Sequence, residues 1–332
     1  MRPSLHRQPK QLTPSQFTDF ARLLIFAISL RFSTAVTAQT NAQLIVGNSK
    51  IDLTFTSNPP EPLRPIVLDW VSAAARAVTT YYGQFPVSHV EIRVSLYDGH
   101  GAESGQTFGS DGAVITVSVG RSSTSNDLAR EWLMTHEMVH LAFPSVTRNH
   151  HWIEEGLATY VEPIARARDG ELSAEKVWGD MLRGMPQGLP QPGDRGLDVT
   201  HTWANTYWGG ARFCLLADIE IRKRTGNKQG LEDALRAILK HGGTIEADWP
   251  LARALEIGDQ ATGVPVLRKL YDRMSVTPQS TDLDKLWKDL GIDSSEGRIV
   301  FDDTAPLANI RKAITQSVPI SEPPQILITP RP

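Results

Sequence analysis

The chain has 332 residues, 40% of them apolar and 21% charged, with a formal net charge of −3. That is too long and too apolar for a disordered segment or a disulfide-stapled miniprotein, and it is enough chain to bury a core. No apolar run reaches the length of about 18 residues that a membrane span needs, and no basic excess points to nucleic acid.

The N-terminus has the layout of an export signal. Arg2, Arg7, Lys10 and Arg22 precede a mostly apolar run, Leu23 to Leu30, and small residues follow up to Ala38, with Arg31 as the one interruption. Cleavage after Ala38 would give a periplasmic or secreted protein, and losing five basic residues and one acid would leave it at about −7. Cys214 is the only cysteine, so no intrachain disulfide can form. Its apolar surroundings, Phe213 to Ala217, predict a packed thiol rather than a nucleophile.

The first segment beyond the leader reads as β-rich. Ile51–Phe55 and Val90–Leu96 alternate apolar and polar residues, as half-buried strands do. Between them, Ile66, Val67, Trp70, Val71, Ala74 and Val78 recur at helical spacing. The glycine-rich stretch Gly99–Gly112 contains no phosphate-loop pattern and reads as a loop before a third strand, Ala113–Val119.

From Ser125 onward the pattern is helical. Ser125, Asn126 and Asp127 suit the start of a helix running to about Ala142, where Pro144 closes it. A second helix is expected from about Trp152 to Ala167, then a Pro- and Gly-rich loop from Gly184 to Gly196. A third follows from about Thr206 to Arg224, with shorter helices near 231–240, 264–274, 282–290 and 306–315. The last 14 residues hold five prolines and read as a loose tail.

The informative segment is Thr135-His-Glu-Met-Val-His140. Histidines at i and i+4 lie about 40° apart around a helix, so both imidazoles can face one metal ion. Glu137 then lies about 100° from His136, beside the ion, where a carboxylate can take a proton from an activated water. Catalytic zinc commonly takes three protein ligands, and the third is sought in Trp152-Ile-Glu-Glu-Gly-Leu-Ala-Thr-Tyr-Val-Glu162. Glu154 and Glu155 point about 100° apart on a helix, so one of them is expected to ligate. His150 and His151, in the connecting turn, are the competing donors. Glu162 shares the face of Glu155 and suits either an outer partner of a ligand or a solvated position. Asp218 and Arg222, four apart, read as an ion pair, and Tyr160 as structural.

The run Trp-x-x-Glu-Gly-x-Ala-x-Tyr-x-Glu after HExxH resembles the gluzincin metallopeptidases, especially the aminopeptidase N and glycyl aminopeptidase families. The resemblance implies one Zn²⁺ ion held by His136, His140 and Glu155, with 14 residues between His140 and Glu155, fewer than in aminopeptidase N. Tyr207-Trp-Gly-Gly-Ala211 is similar to those families' Tyr-x-Lys-Gly-Ala, which implies that Tyr207 steadies the oxyanion; Gly209 stands where the lysine would be. The acidic glycine–alanine–methionine–glutamate–asparagine segment of aminopeptidase N has no counterpart in Gly109–Thr116, where Asp111 is the only acid.

The resulting expectation is an α+β, zincin-like (thermolysin-type) fold. An αβ lobe with a mixed sheet at 39–145 would end in the HExxH helix, a mainly helical lobe at 146–316 would supply the third ligand, and a Pro-rich tail would occupy 317–332. The expected activity is zinc-dependent peptide hydrolysis by a zinc-activated water, with Glu137 as general base, on a peptide or protein substrate. The alternative is a zincin-like zinc-binding scaffold without catalysis.

Overall fold

The computed structural model describes residues 41–295, 297–317 and 326–330, with side-chain surroundings for fewer. The leader expected at 1–38 lies outside the described residues.

A mixed sheet is the platform of the fold. Its strands are β1 (Asn41–Val46), β2 (Ser49–Phe55), β3 (His89–Tyr97), β4 (Ala102–Phe108), β5 (Ala113–Gly120) and, from the end of the chain, the strand Ile326–Pro330, in the order β4-β5-β3-β2-β1 and then that last strand. β2, β3 and β5 run parallel, while β4, β1 and the C-terminal strand are antiparallel to their neighbours. Alternation explains the inner strands: Ile51, Leu53 and Phe55, Val90, Ile92 and Val94, and Ile115, Val117 and Val119 are all buried. The crossover between β2 and β3 is α1 (Leu63–Tyr82), which buries Val67, Val71, Ala74 and Val78 and packs on the helices that carry the site.

Two expectations about strands are corrected. Gly99–Gly112 is not a loop throughout, because β4 occupies Ala102–Phe108 and forms the sheet edge. This strand gets its hydrogen bonds from β5 and none of its residues is buried, so it needs no apolar alternation. β5, the strand Ala113–Gly120, lies one place in from this edge, between β4 and β3. The tail is not loose throughout either, since Ile326–Pro330 pairs with β1.

The helix expected from Ser125 to Ala142 is two helices, α2 (Ser125–Arg130) and α3 (Leu133–His140). Thr124, not Ser125, caps α2: its hydroxyl accepts from the Asp127 N–H while Asp127 accepts from the Thr124 N–H. Glu131 is extended and breaks the run, and the Trp70 indole donates to its carbonyl at 3.4 Å. Beyond lie α4 (His151–Arg168), α5 (Ala174–Gly184), a π-helical turn at Asn205–Gly209, and α6 (Gly210–Arg224). Next are α7 (Leu231–Lys240), α8 (Leu251–Thr262), α9 (Val266–Met274) and α10 (Leu283–Leu290). A two-stranded hairpin, β6 (Ile292–Ser295) and β7 (Arg298–Phe301), and α11 (Ala308–Thr315) complete the order before the C-terminal strand. Cys214 is buried in α6, as its neighbours predict. Among the described residues no helix is long and apolar enough to cross a membrane.

Candidate active site

Helix α3 presents His136 and His140 on one face, their rings 5.0 Å apart. Glu155, near the start of α4, meets them from across the interhelical gap: its Oε2 lies 3.2 Å from His136 Nε2 and 3.7 Å from His140 Nε2. Ligand atoms of these three residues all lie within 4.8 Å of one another. Tetrahedral donors about 2.0–2.2 Å from one zinc stand about 3.3–3.6 Å apart, close to the 3.2 and 3.7 Å that separate Glu155 Oε2 from the two imidazoles.

The surroundings fit a cation as well. The cleft over these residues holds about 680 Å³ and is lined by four carboxylates, Glu103, Glu137, Glu154 and Glu155, and by no lysine or arginine. Burial pushes His140 down to about 3, which keeps its imidazole neutral and free to donate an electron pair. Burial raises Glu155, but hydrogen bonds from His136 and His151 and the nearby His140 outweigh it and hold the carboxylate well below its usual range.

Glu154 points elsewhere. Its Oε1 accepts from the Val146 N–H at 3.2 Å and its Oε2 pairs with His151 Nδ1 at 2.8 Å. The other ring nitrogen of His151 lies 3.3 Å from Glu155 Oε1, so this histidine spans the two adjacent glutamates, and its partners raise it to about 10. His150 is held away from the cluster by Asp198 at 2.9 Å.

Glu137 sits in the same cleft, buried, with its carboxylate under the edge strand. The Thr107 hydroxyl lies 2.7 Å from Glu137 Oε2 and 2.9 Å from the Glu137 carbonyl. A Cβ at Gly105 would stand 2.7 Å from Glu137 Oε1, so only glycine there leaves the carboxylate room. Burial raises Glu137, and the Thr107 bond opposes the shift. Thr107, Gly105 and Glu103 escaped the sequence reading because nothing in the pattern of β4 marks it as a strand. Once the edge strand is known, Glu103 is the acid facing this cleft, whereas Asp111 lies beyond the end of β4.

Tyr207 reaches the cleft from the π-helical turn, its ring stacked on His136 at 6.3 Å and 16°. Extra residues in a helical turn are common at functional sites, since they swing a side chain off the regular helix face. Burial and the nearby Glu155 charge push the Tyr207 phenol up to about 12, so it remains a hydrogen-bond donor. Two glycines set this relation. A Cβ on Gly156 would lie 2.4 Å from the Gly210 Cα, and one on Gly210 would lie 2.2 Å from the Trp152 carbonyl oxygen. Helices α4 and α6 therefore touch backbone to backbone beside Glu155 and Tyr207.

Three other expectations resolve simply. Glu162 is buried and bonded to Arg166 at 2.9 Å, in the wall of a neighbouring chamber. Asp218 and Arg222 form an ion pair at 2.8 Å, and the Tyr160 hydroxyl donates to Asp218 at 2.9 Å.

No family model matches the sequence, and no curated protein matches it. Solved structures do. An aminopeptidase N family protein from Idiomarina loihiensis superposes with a TM-score of 0.57 at 14% identity over 77% of this chain. A point mutant of an M1 zinc metallopeptidase from Deinococcus radiodurans gives 0.48 at 15% identity over 73%. The chain spans about half the length of these proteins, 49% and 52% of each. At such identity the likeness is one of fold: the chain folds like part of the aminopeptidase N family protein.

Proposed function

We propose that the protein is a zinc-dependent peptidase in which His136, His140 and Glu155 hold the ion. The observation that carries this reading is the convergence of those three donors in an acidic cleft with Glu137 beside them and β4, the edge strand among the described residues, above. A zinc ion there would supply a Lewis acid that polarises the scissile carbonyl and acidifies water. The rest is the work of this chain's own side chains.

Glu137 takes the proton of the attacking water and passes it to the leaving amine, a role that needs the carboxylate fixed. Thr107 and the space left by Gly105 fix it. The Tyr207 phenol donates a hydrogen bond to the carbonyl oxygen as charge develops there. His151 holds the second oxygen of Glu155 and so orients the proposed ligand. An extended peptide lying along β4 would use the backbone groups that β5 leaves unpaired.

Glu137→Gln keeps the shape of the side chain and removes its basicity. The expected result is unchanged zinc stoichiometry with turnover of a peptide library lowered about 10³-fold, within the range for general acid–base catalysis. Turnover retained by this variant would sink the mechanism. Zinc bound by the unmutated chain without cleavage of any peptide would favour the scaffold alternative.

A further inference from the structure

A second chamber of about 640 Å³ adjoins the catalytic cleft and shares three residues with it, Trp132, His136 and Tyr207. Its volume lies within the range of small-ligand pockets, about 300–1,000 Å³. Its wall joins five rings, Trp132, His136, Trp203, Tyr207 and Trp208, to seven charged side chains. Trp203 stacks on Tyr207 at 5.3 Å and 23°, and Trp132 meets His136 edge-on at 4.9 Å. Trp208 forms a third wall and is firmly seated, because a Cβ on Gly184 would fall 1.9 Å from its ring.

The exposure of these rings is unusual for side chains that could pack. Among the described residues five large apolar side chains are exposed, and three are aromatic: Phe108 at 46%, Trp132 at 48% and Trp203 at 60%. Phe108 lines the catalytic cleft, Trp203 the second chamber, and Trp132 both. Flat rings left open on both sides of a reactive centre are preformed stacking surfaces for another ring. The charged side chains of the chamber are largely spoken for: Arg166 bonds Glu162 and Glu171, and Asp180 bonds Lys176 and Arg183. Six of the seven charged side chains are thus paired with one another, and the indoles supply the flat apolar surfaces.

We propose that this chamber receives a large aromatic side chain of the peptide substrate, from a residue flanking the scissile bond. The proposal rests on the peptidase reading. It commits to phenylalanine or tryptophan rather than a small or branched aliphatic residue, because stacking rewards a flat ring.

The test is a set of peptides, with free and with blocked N-termini, that carry Phe, Trp, Leu or Ala at either position flanking the cleaved bond. The zinc-loaded full chain is expected to give at least about 10-fold higher kcat/KM for Phe and Trp than for Ala and Leu at one of the two positions. Trp203→Ala is expected to reduce that ratio at least about five-fold. Equal kcat/KM across the set, or an unchanged ratio in the variant, would overturn the proposal while leaving the peptidase reading intact. Cleavage of no peptide would instead overturn the peptidase reading. Tryptophan fluorescence of the zinc-loaded Glu137→Gln chain, titrated with N-acetyl-phenylalaninamide and N-acetyl-alaninamide, then decides for the chamber alone. Tighter binding of the aromatic amide supports it, and equal or absent binding overturns it.

Discussion

Helix α4 sends Glu155 into one buried polar cluster and Tyr160, little more than a turn further on, into another. The second cluster is closed on itself. Asp218 accepts from Tyr160, from Arg222 at 2.8 Å and from the Leu231 N–H at 3.0 Å, while Glu232 accepts from Arg222 at 2.7 Å and Arg168 at 3.0 Å. Two carboxylates meet two guanidiniums, and neither of the two large chambers reaches them. The first cluster places two imidazoles and a carboxylate at the floor of an open cleft with further acids and no arginine or lysine. A buried charge set that balances itself holds helices together; one in which four carboxylates outnumber the single cationic side chain, His151, and which opens to solvent has room for a further cation.

Four changes would break or sharpen that contrast. Stripping the protein with a chelator should abolish peptide hydrolysis, a loss of at least about 10³-fold, with zinc restoring it and circular dichroism showing the helices in place. Arg222→Met should act in the opposite way. It leaves Asp218 and Glu232 short of their cation and should cost about 3–5 kcal/mol in denaturant unfolding, while zinc stoichiometry of the folded protein stays the same. Tyr207→Phe removes one hydroxyl from the cleft and should lower kcat by about 10²-fold with zinc retained.

The smallest effect belongs to an exposed carboxylate that joins neither cluster. The Thr124 N–H and hydroxyl, each 2.8 Å from Asp127, hold that acid down to about 2 from an ordinary value of 3.8. A carboxyl with a lowered folded-state pKa adds stability above its unfolded value and loses it as pH falls through the folded one. Melting temperatures of the unmutated chain and Asp127→Asn should differ above about pH 4 and converge as pH drops towards 2. A gap that persists below pH 2 would show that the cap does not depend on the charge.

The legibility of the sequence was uneven, for physical reasons. The imidazoles of His136 and His140 were legible because helical spacing alone puts them on one face. Helical geometry alone did not choose between Glu154 and Glu155, because adjacent helical residues differ only in direction; the resemblance to the gluzincin motif pointed to Glu155, and the structure brings that residue to the histidines. His151 could have been a ligand or a bystander on sequence grounds, and the fold makes it the tie between both glutamates. The helix break at Glu131 was invisible because the residues on either side have good helical character, and the partner that fixes it, Trp70, comes from α1. β4 carries no strand signature in the sequence, since an edge strand is held by its neighbour's backbone rather than by burying alternate side chains.

By itself the sequence determined the helical face of the metal motif, the alternation of the inner strands, the place of most helices from α4 onward, and the core position of Cys214. These follow from spacing within one element. Only the tertiary structure decided that Glu155 closes on the histidines, that Thr107 and Gly105 hold Glu137, that Gly156 and Gly210 let two helices touch, and that three exposed aromatic rings line two adjoining hollows. Each of these joins residues from elements far apart in the chain, and no periodicity within a segment encodes a distance between segments.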